Sequence, residues 1–279
     1  MYEFEIDYNG FLLNHDAGYT IFGIDGLEAL PIRVARDELT GRHGGNIWNR
    51  LYGMREIKIK GECYGDDATQ YFERLNALIE AFSIVDETDL LITLWNGSTR
   101  RISAKVTKAP EAPKNASEVT YAEFDMVLTC EEGFFLDEDD QIFETGLGVS
   151  GGGEVPTEVP MSLSPSTGDT ITIDNLGDVP VIPVFEIFGE VENPTVTNLT
   201  TGESFQINTT IASGDKVTVQ QNQSGKTVKL NDSQNYFQYF LGDILTLGVG
   251  ANNIKFSAST FSSEALLRIT YVNKYLAHG

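Results

Sequence analysis

The chain is poor in positive charge. Its 279 residues include 19 Lys and Arg against 41 Asp and Glu, a formal net charge of −22. Affinity for phosphate backbones comes from Lys and Arg displacing counterions, so this balance argues against nucleic-acid binding. It disfavours anionic membrane surfaces for the same reason. About two-thirds of the acidic excess lies in residues 1–145, and neither half carries a net positive charge. Cysteine is scarce, with Cys63 and Cys130 as the two in the chain. A chain this long buries a core without staples, so both read as small apolar residues of a reduced protein. Long apolar runs are missing: no stretch approaches the ~18 residues of a membrane span. The start, Met1-Tyr-Glu-Phe-Glu-Ile-Asp7, is acidic and alternating and has no basic or apolar signal-peptide region. The expectation is a protein made in a cytoplasm and not inserted in a membrane. Histidine is limited to His15, His43 and His278, with no His/Cys cluster at zinc spacing. Trp48 and Trp95 both fall in the N-terminal half. The chain is rich in turn formers, with 27 Gly and 9 Pro, and its composition is globular.

Periodicity predicts a mainly β protein. Glu56-Ile-Lys-Ile-Lys60 alternates strictly. Asp66 or Asp67 caps a helix running to about Ser83, with Phe72, Leu75, Leu78, Ile79 and Phe82 on one stripe. Strands follow at Leu90–Trp95, Arg101–Val106 and Tyr121–Cys130, the first two joined by an Asn96-Gly97 turn. Residues 28–54 read as irregular. Arg33, Arg36, Arg42, Arg50 and Arg55 form a basic island there, against only Asp37 and Glu38. Long loops without structure of their own are usually functional. Residues 146–168 are rich in Gly, Pro and Ser and read as a linker. Beyond it, Phe185, Ile187 and Val191 share a face, as do Leu267, Ile269 and Tyr271. Turn pairs at Asn193-Pro194, Thr201-Gly202, Gly214-Asp215 and Ser224-Gly225 mark many short strands, the signature of a sandwich or jelly roll. The expected domains are 1–145, a 146–168 linker and 169–279.

Motifs that suggest chemistry lack their context. Gly146-x-Gly148-x-x-Gly151 matches a dinucleotide fingerprint, yet Gly152-Gly-Glu-Val-Pro156 cannot start the helix that receives the pyrophosphate. Gly148-x-Ser150-x-Gly152 matches a nucleophile elbow without the buried strand before it or the helix after it. The nearest downstream histidine, His278, sits where a terminus is expected to fray. Asp137-Glu-Asp-Asp140 lacks the alternate ligands, bend Gly and closing Glu of a calcium loop and reads as a solvated acidic turn. Tyr236, Phe237, Tyr239 and Phe240 suit a core edge or a protein contact as well as a sugar. No catalytic, cofactor-binding or metal-ligating residue is assigned, and no cofactor is expected.

Three stretches resemble the distal tail protein (Dit) family of siphophages, in its compact form. They are Arg55-x-Ile57-x-Ile59-x-Gly61 leading into the helix with Tyr71-Phe72 and Leu75; Pro183-x-Phe185-x-Ile187-x-Gly189 followed by Asn193-Pro194-x-Val196-x-Asn198 and Thr201-Gly202; and Gly250-x-Asn252-x-Ile254 with Arg268-Ile-Thr-Tyr271. Val249 stands where the family pattern often has Pro. The resemblance implies an N-terminal β-sandwich or split barrel with one helix, similar to tail-tube subunits, and a C-terminal galectin-like sandwich. It implies a virion structural protein of the tail tip or baseplate, not an enzyme. Six copies would ring a channel that DNA passes only transiently. Its partners would be the tail tube protein above, and the tail-tip protein and receptor-binding proteins below. An acidic lumen would repel DNA rather than hold it. The basic island (Arg33, Arg36, Arg42, Arg50) is the expected contact with the acidic surface of the next copy. Two alternatives remain open at this point: a carbohydrate-binding jelly-roll module for host recognition, and a glycan hydrolase of the same tail.

Overall fold

The computed structural model describes residues 4–38, 40–41, 43–84, 87–111, 120–147, 170–222 and 224–278. The chain forms two compact units, residues 1–138 with 275–279, and 139–274. Most of the predicted linker lies outside the described residues. The division falls at 138/139, earlier than expected, because Gln141–Gly146 pairs in full register with Leu266–Tyr271 of the second unit. The chain end also departs from expectation by returning to the first unit.

In the first unit the described elements are β1 (Glu5–Tyr8), β2 (Phe11–Leu13), β3 (Tyr19–Asp25), β4 (Ile32–Glu38), β5 (Gly45–Tyr52), β6 (Arg55–Tyr64), α1 (Ala68–Ala81), β7 (Thr88–Thr93), β8 (Thr99–Glu111), β9 (Tyr121–Cys130) and β10 (Phe135–Leu136). The main sheet runs β2-β1-β7-β8-β9-β6-β3, antiparallel at every step. Strict alternation in β6 and β9 places Ile57, Ile59, Cys63, Phe124, Met126, Leu128 and Cys130 in one core. Asp67 caps α1 by accepting the Gln70 N–H at 2.8 Å. The buried stripe is Tyr71, Leu75, Leu78 and Phe82. Phe72, expected on it, is exposed, because the stripe steps 4, 3, 4 from Tyr71. Tyr8 stacks on Phe82 with ring centroids 4.7 Å apart.

Arg55, the first residue of β6, is 2% exposed. Its guanidinium donates to four main-chain carbonyls: Gly133 at 2.8 Å, Glu28 at 2.6 Å, Leu276 at 2.7 Å, and Gly26. It also lies 4.5 Å above the Phe135 ring. Two of these acceptors are glycines for steric reasons. Gly26 has φ +97° and Gly133 φ +72°, and a Cβ would fall 2.1 Å from the Glu56 carbonyl and 2.5 Å from Leu30, respectively. His278 completes this junction and does not fray. Its N–H donates to Leu27 O at 2.9 Å, and its ring Nε2 lies 2.8 Å from Ile92 O. A carbonyl can only accept, so Nε2 carries the proton. The buried Nδ1 has no hydrogen-bond partner. A second proton there would be unsatisfied, and burial together with Arg100 and Arg55 holds the imidazole below its ordinary pKa.

The second unit is built on two main sheets packed as a sandwich, with a small third sheet of Thr210–Ile211, Val191–Glu192 and Thr260–Phe261. One sheet orders Gln141–Gly146, Leu266–Tyr271, Val184–Phe188, Lys216–Asn222, Gly225–Leu230 and Gln234–Asn235. The other orders Thr170–Asn175, Gly250–Ser257, Thr195–Asn198, Ser204–Ile207 and Phe240–Gly242. Alternate residues of both meet in one core, among them Phe185, Ile187, Val219, Phe205, Ile254 and Ile269. The opposite face of the first sheet carries ion pairs, Arg268–Glu144 and Lys216–Glu186, each at 2.7 Å. Buried asparagines close the turns. Asn252 Oδ1 accepts from Gly248 N at 2.9 Å while its amide donates to Gly248 and Gly250 carbonyls, both at 2.8 Å. Asn198 Oδ1 accepts from Thr200 N at 3.0 Å, and its amide donates to Thr246 O at 2.9 Å. These side chains replace backbone partners that a turn would otherwise leave unmet. That explains the two motif asparagines. Tyr236, Tyr239 and Phe240 pack on the core, while Phe237 is exposed.

Two outcomes follow. Arg55→Ala strands four carbonyls and should cost about 3–5 kcal/mol in urea unfolding of the full chain. Arg55→Lys should recover only part, since an ammonium cannot present the planar fork. A loss under 1 kcal/mol for Arg55→Ala would contradict the arrangement. His278 is kept neutral in the fold, so the unfolded chain takes up the extra proton as pH falls. Stability should therefore be full above pH 6.5, the unfolded value, and decline below it. His278→Gln should flatten the slope of melting temperature between pH 7.5 and 5.5. An unchanged slope would show that other groups cause it.

Candidate assembly interface

The basic island is not an irregular loop. β4 and β5 pair as an antiparallel ribbon from Ile32↔Tyr52 to Glu38↔Gly45, a two-stranded sheet separate from the main one. Seven residues of strand reach roughly 20–25 Å. A register shift between Ala35 and Arg36 leaves Trp48 without a cross-strand position. Its indole N–H donates to Asp37 at 2.8 Å instead. This bulge breaks the period, which is why alternation was not legible across residues 28–54. The signals present were Ile32/Val34 and Leu51/Tyr52 on either side of Gly44-Gly45.

Every described residue of the ribbon is exposed. Between the root and the bulge, one face carries Ile32, Val34, Arg50 and Tyr52, and the other Arg33, Ala35, Asn49 and Leu51. Exposure reaches 60% for Ile32, 64% for Ile47 and 68% for Trp48. An isolated two-stranded ribbon is marginal in water, and a chain rarely leaves so many large apolar side chains together in solvent. Arg33, Arg36 and Arg50 are thus brought together on one arm, while Arg42 lies outside the described residues. The root is anchored: Gly53 N donates to Pro31 O at 2.7 Å, Tyr52 packs edge-on to Phe134, and Leu30 is buried. Arg55 holds the entering chain at Gly26 and Glu28.

The sites that suggested chemistry contain little of it. Cys63 and Cys130 are buried free thiols, pushed up by burial to about 11 and about 12, so they stay protonated. Among the described residues no group of His, Cys, Asp and Glu could hold a metal. Asp137 is not a solvated turn residue, since its carboxylate meets Arg100 at 3.1 Å in a half-buried pair. Gly148 to Gly153, with Ser150, lies outside the described residues.

The buried asparagines and paired sheets of the second unit define a recognisable domain. Residues 176–275 match the siphovirus-type tail component, C-terminal domain. The model describes tail components of the Dit type. The whole fold is similar to the Dit protein of phage SPP1, whose structure is described as a paradigm of hub adsorption apparatus in phages infecting Gram-positive hosts. The two are 13% identical, with a TM-score of 0.67 over 98% of this chain and 99% of that one. Chains of the phage p2 baseplate, in its activated conformation with Sr or Ca, are 10% identical, with a TM-score of 0.49 over 97% of this chain and 98% of theirs. No curated protein matches in sequence. The resemblance to siphophage distal tail proteins and the mainly β fold both hold.

An arm this open should be the first part cut. In dilute full-length protein, trypsin should cleave after Arg33, Arg36 or Arg50 well before any site in β6 or β8, as read by intact-mass spectrometry. Early cuts in β6 with an intact arm would show that the ribbon is packed away in the free chain.

Proposed function

We propose that the chain is a structural subunit of a phage tail tip, a hub that joins the tail tube to the tip and host-binding apparatus. Six copies form a ring around a channel through which DNA passes. The observation that carries this reading is the exposed β4–β5 arm, apolar and arginine-bearing, on a chain of net charge −22. Such an arm gains little from its own unit and gains much from an acidic, apolar-seamed neighbour. A second copy supplies one by construction. In a ring each copy donates one arm and accepts one, a heterologous contact that closes. The similarity to a phage hub protein supports the same reading, as does the tail-component domain. The remaining partners are the tail tube protein, the tail-tip protein and receptor-binding proteins. The role is not enzymatic, its place is the virion tail, and synthesis occurs in the host cytoplasm.

Two kinds of force act on the arm, and they separate by salt. Exposed ion pairs contribute about 0–1 kcal/mol each and are screened. Burial of Ile32, Val34, Trp48 and Tyr52 is not screened. The triple variant Arg33→Glu, Arg36→Glu, Arg50→Glu should shift light-scattering mass from hexamer toward monomer, and the parent should weaken only in part as salt rises. Trp48→Ala should weaken assembly equally at low and high salt. If the triple variant stays as hexameric as the parent at both salts, the arm's partner is not another copy.

A further inference from the structure

The arm of one copy needs a seat on the next, and the first unit carries a surface of matching length and opposite charge. We infer that this seat is the outer face of α1, and that the β4–β5 arm of a neighbouring copy lies along it. This rests on the ring reading and adds the acceptor surface of that contact.

α1 turns Tyr71, Leu75 and Leu78 into the core and leaves its other side open. Glu73 and Glu80 stand on that side, both exposed. Seven residues make two turns, so the two carboxylates lie on one line of the helix about 10 Å apart. Phe72 and Ile79 form a second line beside them at the same interval. Phe72 is 40% exposed, and Ile79 packs only partly on the core. Ile84, two residues beyond the C-cap Phe82, is 99% exposed and extends the apolar margin past the helix end. The open face is thus apolar along one edge and acidic along the other.

α1 contains no Lys, and its single Arg, Arg74, is engaged elsewhere. Arg74 donates to Tyr64 O at 2.7 Å and lies 5.8 Å from the centre of the Tyr64 ring. Among the described residues neither Glu73 nor Glu80 has a side-chain hydrogen bond or ion pair.

The arm has the complementary pattern. Alternation along β4 puts Ile32, Val34 and Arg36 on one face, and Arg50 stands opposite Val34. Arg36 and Arg50 are therefore diagonal neighbours, roughly 7–8 Å apart at the backbone. Their long stems cover the difference from the carboxylate spacing. Ile32 and Val34 supply aliphatic surface on the same face for Phe72 and Ile79. Length agrees as well. The 14 residues of α1 span about 21 Å, and seven residue pairs of ribbon span roughly 20–25 Å. Within one chain the ribbon does not pack on α1, and every described arm residue is exposed. The arm that reaches the helix belongs to another copy. Each copy then offers one arm and one seat, as a closed ring requires.

Light scattering of full-length protein over a range of concentrations tests the seat by charge exchange. Glu73→Lys with Glu80→Lys should raise the concentration of half-assembly about tenfold or more, and so should Arg36→Glu with Arg50→Glu. All four substitutions in one chain should bring it back to within about threefold of the parent, because each contact again joins opposite charges. Phe72→Ala should weaken assembly by a similar factor at low and high salt, since apolar burial is not screened. Circular dichroism checks that α1 stays folded. Where the lysine pair disturbs it, Glu73→Gln with Glu80→Gln takes its place and should still weaken assembly about threefold or more. A folded helix-face variant that assembles like the parent overturns the seat and leaves the ring reading intact. So does a four-substitution chain that assembles no better than either pair alone. A parent that stays monomeric at every concentration overturns both.

Discussion

Three segments far apart in sequence end on one guanidinium. The carbonyls of Gly26, Glu28, Gly133 and Leu276 all point at Arg55, and none of them has to be there for its own strand. Arginine alone carries a planar fork of five donors on one charge, and it stays charged when buried. The two nearest turns are glycine because a Cβ would collide with the backbone or with Leu30. This node fixes where the arm leaves the sheet and where the chain end comes to rest.

The same node argues against treating residues 1–145 as self-sufficient. A fragment ending there lacks the Leu276 carbonyl and the His278 ring that packs on Phe135. The last few residues behave as part of the first unit although they follow the last strand of the second.

On the arm, apolar side chains and arginines share a ribbon that has no sheet behind it, so its stability must come from elsewhere. That arrangement suits a large partner surface, and the acidic excess of the chain favours a basic arm.

Much of the fold was legible where one face of an element is buried and the other is not. Alternation in Glu56–Lys60 and in Tyr121–Cys130 marked β6 and β9, and the Asp67 cap and apolar stripe marked α1. The closely spaced turn pairs pointed to the sandwich, and buried Asn198 and Asn252 there do the work of backbone groups. Elements without such contrast were missed. The β4–β5 ribbon is exposed on both faces and bulged at Trp48, so no period survives in its sequence. Phe72 and Tyr71 are adjacent aromatics, and only the packing partner decides which one turns inward. His278 looked like a terminal residue because sequence distance says nothing of the carbonyls at Leu27 and Ile92. By itself the sequence determined the β character, the single long helix and the acidic balance, since these depend on local period and composition. Tertiary structure alone decided the Arg55 junction, because its carbonyls are distant in the chain and become neighbours only when strands pair, and the arm, because a bulged ribbon exposed on both faces leaves no period.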